Sequence, residues 1–89
     1  MNREDALSVL STCLEAYRRQ PYAELAGKLG NQGCDELVGP SGATYQIEID
    51  IVRDAGTDLR VIGSVDDGAW RSFAPLSESF IIGADGTVR

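Results

Sequence analysis

Residues 45–51 alternate strictly between apolar and polar side chains. A period of two is typical of a strand in an antiparallel sheet that has one buried and one solvated face. The buried face, called the inner face of the sheet below, is expected to carry the apolar positions Tyr45, Ile47, Ile49 and Ile51.

Before this strand, apolar positions recur at helical spacing. The first stripe predicts a helix over residues 3–19, capped by Asn2, with Asp5 favouring its first turn. Pro21 suits the start of a second, short helix. This helix is expected to end at Gly30 and Asn31, residues that readily adopt a left-handed backbone conformation. The first stripe consists of Ala6, Leu7, Val9, Leu10, Cys13, Leu14 and Tyr17.

After the long strand, residues 58–65 form a second alternating segment. The pair Asp67-Gly68 is preferred in two-residue hairpin turns, so residues 70–76 are predicted to fold back as the next strand. This register sets Val65 opposite Trp70, at the rim of the core, and Ile62 opposite Phe73. Small residues on the inner face would let a helix approach the sheet closely, and these are Gly63, Ser72 and Ala74.

Two further hairpins are predicted at the ends of the sheet. Residues 34–43 contain a short strand followed by a GPSG turn, and residues 79–89 contain short strands on either side of GADG. The predicted fold class is α+β, with an N-terminal helix and a short second helix packed on an antiparallel β-meander of three to five strands. A chain of 89 residues is expected to form a single domain, 1–89, with a helical part (1–31) and a β-sheet part (34–89).

The charge of the chain is concentrated in its second part. The net charge is −6, and residues 34–89 hold ten acidic residues against four arginines. An acidic surface repels phosphate backbones, so nucleic acid is not an expected partner, whereas a basic protein is. The chain contains no long apolar run and no apolar signal core near Met1, which indicates a protein of the bacterial cytoplasm that does not span a membrane. Cys13 and Cys34 are expected to be reduced.

The residue types argue against the common catalytic sites. The chain contains no histidine, which excludes imidazole metal sites and Ser-His or Cys-His nucleophile pairs. No loop with the ligand spacing of a calcium site is present, and we predict no catalytic residue, metal ligand or cofactor. The alternative is a small enzyme that uses Glu48, Asp50 or Asp66, with or without a metal ion.

The other face of the sheet, called the outer face below, is expected to be polar but carries apolar residues at its centre. An apolar centre with a charged rim is typical of a protein interface. Two alternatives stay open: a cross-strand pair that only stabilises the sheet, or cover by the C-terminal segment with Phe80, Ile81 and Ile82. The predicted interface residues are Val52, Arg60, Ile62, Arg71 and Phe73, and the loop at residues 53–58 is expected to place Val52 beside Arg60.

Residues 38–88 resemble a family of small bacterial proteins without assigned function. The resemblance rests on a Gly-x-Tyr-Gln-Ile strand, a Gly-Ser-x-Asp-Asp-Gly segment and a Trp-Arg-x-Phe segment. The corresponding residues here are 42–47, with one extra residue between Gly42 and Tyr45, then 63–68 and 70–73. It implies a compact α+β domain and no activity, cofactor or site residue. The residues themselves favour a non-enzymatic protein-interaction module that uses the outer face to bind a protein partner or a second copy of the chain. An acidic inhibitor of the antitoxin or immunity type is a further alternative.

Overall fold

A computed structural model of the chain describes residues 3–30, 32–66 and 76–89, and the side chains of residues 32–35 and 66 lie outside that description. The fold is α+β, as the sequence predicts: two N-terminal helices pack on a four-stranded antiparallel sheet. The elements are α1 (Arg3–Arg18), α2 (Tyr22–Gly27), β1 (Gln32–Val38), β2 (Thr44–Arg53), β3 (Leu59–Asp66) and β4 (Leu76–Ile82).

The helical stripe and the alternating strands form one core. α1 buries the predicted stripe except for Leu7 and Tyr17, which are half-buried, and it packs mainly on β3 and β4. In β2, every second residue from Tyr45 to Ile51 is buried, which confirms the predicted inner face. β3 and β4 complete this core with Leu59, Val61, Val65, Phe80 and Ile82.

Gly63 lies where α1 comes closest to the sheet. A Cβ atom at Gly63 would lie 2.8 Å from Cδ1 of Leu10 and 3.1 Å from Cδ2 of Leu14. Real Cβ atoms rarely approach heavy atoms this closely, so α1 packs into the space that the absent side chain of Gly63 leaves. The predicted close approach at Gly63 is therefore confirmed.

The strands run in the order β1-β2-β3-β4 along the sheet, each antiparallel to its neighbour. Val52 lies directly opposite Arg60, as the sequence predicts. The predicted partner of β3 is wrong. Val65 pairs with Leu76, Val61 with Phe80 and Ile62 with Ser79, where the predicted register set Trp70, Ala74 and Phe73. The predicted turn at Asp67-Gly68 lies outside the described residues.

The observed register has a physical advantage over the predicted one. It sets Phe80 opposite Val61, where the predicted register set Ala74, and both Phe80 and Ile82 become almost fully buried. Burying a phenylalanine or isoleucine side chain contributes roughly 1.5–3 kcal/mol, well above what an alanine offers. Trp70, Arg71, Ser72, Phe73 and Ala74 lie outside the described residues.

Two turns close the ends of the sheet where the sequence predicts them. Between β1 and β2, Gly42 has a φ of 90°, and its amide nitrogen donates to the carbonyl oxygen of Gly39 at 2.9 Å. After β4, the amide nitrogen of Gly83 donates to the carbonyl oxygen of Thr87 at 2.8 Å. Arg89 and Ile81 exchange two backbone hydrogen bonds, of 2.7 and 2.9 Å, so the segment at Arg89 pairs with part of the outer edge of β4.

Candidate functional site

The outer face of the sheet is not covered by any element that the structure describes. α1 packs on the inner face, and α2 is tied to the same side through the fully buried Leu25. The outward positions of β2, β3 and β4 therefore form a continuous described surface. Its rows across the sheet follow the strand pairing, and their members are Val52, Arg60 and Ile81; Asp50, Ile62 and Ser79; and Glu48, Ser64 and Ser77.

An apolar patch lies at one end of this face and consists of Val52, Ile62 and Ile81. Val52 is 41% exposed, while Ile62 and Ile81 are half-buried. Residues directly opposite each other on one sheet face have Cβ atoms about 4.5–5.5 Å apart. Val52 and Ile81 flank Arg60 in one row, and Ile62 occupies the next row of the same face.

Arg60 is held in the middle of the apolar patch by two weak polar contacts. Its Nε lies 3.5 Å from Oδ1 of Asp54, and its Nη1 donates to Oγ of Ser79 at 3.4 Å. Exposed ion pairs of this length contribute at most about 1 kcal/mol, so the guanidinium remains available for an incoming acceptor. The structure thus brings together three of the five predicted interface residues, Val52, Arg60 and Ile62.

The other two predicted interface residues, Arg71 and Phe73, lie outside the described residues. The predicted pairing of Phe73 with Ile62 is nonetheless wrong, because Ser79 occupies that position. Ile81 joins the patch instead. The C-terminal segment does not cover the outer face as a unit, since Phe80 and Ile82 point into the core on either side of Ile81. With β4 paired as observed, the alternation of residues 80–82 predicts that Ile81 lies on the outer face, because its neighbours Phe80 and Ile82 lie on the inner face.

The part of the outer face beside the apolar patch is acidic. Glu48 is exposed and Asp50 half-buried on β2, and Glu36 of β1 is exposed opposite Gln46. In the described part of the chain these three carboxylates take part in no ion pair. The outer face therefore combines an apolar patch and two arginines, Arg60 and Arg89, with an acidic margin.

A second polar arrangement lies on the opposite side of the molecule and was not predicted. Asp5 is 6% exposed and accepts hydrogen bonds from two described residues, Ser41 and Tyr45. The amide nitrogen of Ser41 donates to Oδ1 at 3.1 Å, and the hydroxyls of Ser41 and Tyr45 donate to Oδ2 at 2.6 and 2.8 Å. The Ser41 hydroxyl is the main cause of an Asp5 pKa below its usual value; burial opposes this, and the Tyr45 hydroxyl and Ser41 amide add to it.

The Asp5 cluster ties the start of α1 to the β1–β2 turn. A Cβ atom at Gly39 would overlap the Asp5 carboxylate and lie 2.8 Å from Cε2 of Tyr45, so the turn fits closely around it. The described donors are neutral amide and hydroxyl groups, and Asp5 holds them in place. We therefore interpret the cluster as a structural contact. The sequence contains a signal for this cluster. Asp5 lies four residues before Val9 and so on the apolar side of α1, where a buried carboxylate needs hydrogen-bond donors.

Of the carboxylates considered for an enzyme, Glu48 and Asp50 are not gathered in a described cleft, and the side chain of Asp66 lies outside the description. Three grooves of the described surface lie beside α1, and neither Glu48 nor Asp50 lines any of them. Among residues 3–30, 32–66 and 76–89, no group of three or more Cys, Asp or Glu side chains is arranged to hold a metal ion. Neither helix in these ranges has the length and apolar character needed to cross a bilayer.

Comparison of the chain with protein-family models, with curated proteins and with solved structures finds no match. The resemblance drawn from residues 38–88 therefore stays a prediction.

Proposed function

We propose that this chain is a non-enzymatic protein-interaction module of the cytoplasm that binds a basic protein partner through the outer face of its sheet. The observation that carries the proposal is the apolar patch of Val52, Ile62 and Ile81 on a sheet face that no described element covers. Apolar residues centred in a polar surface supply most of the binding energy in protein interfaces, while the charged margin sets orientation and partner choice.

The charges of the outer face favour a basic partner over a second copy of the chain. Glu36, Glu48 and Asp50 lie beside the patch and take part in no described ion pair, whereas the two described bases of this face, Arg60 and Arg89, are each paired with an acid. Two copies meeting through this face would bring acidic margins together, which costs free energy and slows association. A partner with lysine or arginine around an apolar side chain would complement both parts of the surface.

The chain offers a closely matched pair of variants for a test. Val52 and Val88 are both valines on extended segments and are 41% and 40% exposed, but only Val52 lies in the apolar patch. We expect Val52→Asp to weaken binding to the partner by about tenfold or more, because the patch loses apolar contact and a carboxylate must give up its hydration within the interface, which together cost more than about 1.4 kcal/mol. Val88→Asp is expected to leave binding unchanged. Thermal melting of both variants controls for the fold.

The binding partner is first identified by affinity capture and then titrated, purified, against the three proteins by calorimetry. Support requires a basic partner whose affinity falls with Val52→Asp and not with Val88→Asp. Equal affinities for the two folded variants would show that the partner binds elsewhere. A dimer of the wild-type chain that Val52→Asp dissociates would instead assign the outer face to self-association and overturn the choice of a basic partner.

A further inference from the structure

The outer edge of β1 is an open sheet edge as far as residues 3–30, 32–66 and 76–89 are concerned. β1 is the first strand of the sheet, and all seven of its residues pair with β2 on one side. The amide nitrogen of Gly39 donates to the carbonyl oxygen of Ala43 at 2.8 Å. This bond shows which residues of β1 direct their backbone N–H and C=O groups toward β2 and which direct them away. Leu37 therefore points its backbone groups toward β2, and Glu36 and Val38 point theirs away from it. No backbone hydrogen bond from the described residues reaches these outward groups.

An apolar groove runs between this edge and α1. It has a volume of about 380 Å³ and is lined on the helix by Ser8, Val9 and Thr12. Leu37, Val38, Gly39 and Pro40 form its other wall. Val38 is 68% exposed, the highest value among the exposed large apolar side chains described. An open edge beside an apolar groove can accept an added strand, whose backbone bonds the edge while its alternate side chains enter the groove.

At the opposite edge of the sheet, part of the backbone of β4 already has hydrogen-bond partners. On β4, the outward backbone groups of Ile81 are already bonded to Arg89, so residues 87–89 act there as a short added strand. β1 has the same need for hydrogen-bond partners, since unpaired backbone groups at a sheet edge are a template for pairing. The Asp5 cluster holds the turn that carries Gly39 and Pro40 against α1, and so keeps the groove open in one shape.

Charge selects the occupant of this edge. β1 contains the adjacent acids Asp35 and Glu36 and no base. Pairing of β1 with β1 of a second copy would set these acids against one another, and like charges on paired strands are destabilising. A segment that alternates basic and apolar residues would instead place its bases near Glu36 and its apolar side chains in the groove.

We propose that the β1 edge, with Glu36 and Val38 as its hydrogen-bonding positions and the groove beside α1 as its apolar site, binds an extended basic segment of a partner protein by strand addition. This site lies on the edge and inner side of the sheet, and it shares Glu36 with the margin of the outer face but does not include the apolar patch. A protein partner that docks on the outer face could be recognised twice, by its surface and by such a segment.

The probe is a nine-residue peptide of alternating lysine and valine, labelled for fluorescence anisotropy. We expect it to bind and to slow hydrogen exchange at the amides of Glu36 and Val38. Val38→Pro removes one outward N–H and leaves the ladder to β2 intact, because proline is tolerated at the outward positions of an edge strand. Loss of one backbone bond and of close strand approach is expected to weaken binding about tenfold.

A second pair of variants tests the groove. Thr12→Arg introduces a base into the groove, whereas Ser11→Arg introduces the same charge at an exposed neighbouring position that does not line it. We expect Thr12→Arg to weaken peptide binding about tenfold and Ser11→Arg to change it less than about twofold, since tenfold corresponds to 1.4 kcal/mol. Urea unfolding establishes that the variants remain folded.

Several outcomes would overturn the strand-addition proposal. Binding that is equal in Val38→Pro and wild type would show that the edge is not used. Equal binding of a glutamate-valine peptide would remove the basis for a basic occupant. A wild-type dimer that Val38→Pro converts to a monomer would assign the edge to a second copy. Loss of peptide binding in Val52→Asp would move the site to the outer face, whereas unchanged binding there separates the two proposals.

Discussion

Asp5 shows how one side chain joins distant parts of this chain. Its carboxylate lies in the first turn of α1, yet its hydrogen-bond donors come from residues 36 and 40 positions away. An acid in the first turn also interacts favourably with the positive end of the helix. Donors that point at the Asp5 carboxylate favour its ionised form over its protonated form, so the cluster makes stability depend on pH.

Asp5→Asn is expected to lower the free energy of unfolding at pH 7 and to flatten its dependence on pH. The folded-state pKa of Asp5 lies below its ordinary value, so its contribution is complete above the unfolded pKa of about 3.9 and is lost as pH falls through the folded pKa. Urea unfolding of both proteins from pH 7 to 3 measures this. The difference between them should shrink as pH falls below about 4.

Glu4→Gln is the control for the charge of Asp5, because Glu4 lies beside Asp5 in the same first turn but is exposed. It removes the same charge from the helix terminus and should cost only about 0.3–1 kcal/mol. If the stability difference between wild type and Asp5→Asn stayed constant from pH 7 to pH 3, the three hydrogen bonds would not depend on ionised Asp5.

At the scale of elements, contact between α1 and the sheet depends on a missing side chain. Gly63→Ala is expected to reduce the free energy of unfolding by roughly 1–3 kcal/mol, because its Cβ would overlap the ends of Leu10 and Leu14 in a packed core. Gly27→Ala is the matched change. Gly27 lies in α2 with no heavy atom within 4 Å of an added Cβ, so stability should stay the same or rise by up to about 1 kcal/mol.

Thermal or urea unfolding of these two variants distinguishes close packing from a general effect of removing glycine. Equal stability changes in both would contradict the close approach of α1 to β3. A Gly63→Ala protein as stable as wild type would show that Leu10 and Leu14 can move aside without cost.

The elements that the sequence predicts well are those whose signal is local. The alternation of β2, the apolar stripe of α1 and the left-handed Gly30 are each determined within about a turn or a strand. The pairing of β3 with β4 is not local. A nine-residue connection costs only about 1 kcal/mol more in closure entropy than a two-residue one, and burying Phe80 and Ile82 exceeds that. Turn preference alone therefore favoured the wrong partner.

The same distinction explains the candidate site. Val52 and Arg60 were placed together correctly because the β2–β3 loop is short and the alternation on both sides is regular. Ile81 was missed because its position on the outer face follows only from the pairing of β4. The groove beside β1 depends on the distance between a helix and a sheet edge, which residue patterns do not contain.

At the scale of the whole molecule, acidity opposes self-association on both proposed surfaces. The chain is expected to be a monomer of 9.5 kDa at low and at moderate salt, because the outer face and β1 both carry like charges. Light scattering coupled to size exclusion measures this. A stable dimer at physiological salt would contradict it, and the Val52→Asp and Val38→Pro variants would show which surface holds the copies together.

The bond between Arg89 and Ile81 also bears on how copies of this chain could aggregate. Endless stacking of sheets into a fibre needs two open edges on every copy, one to receive a strand and one to offer it. On β4, Arg89 already occupies the outward backbone groups of Ile81, and Thr87 accepts from Gly83, so this part of the edge cannot receive a strand from another copy. We therefore expect residues 87–89 to hinder fibre growth at β4, even where a second copy adds to β1.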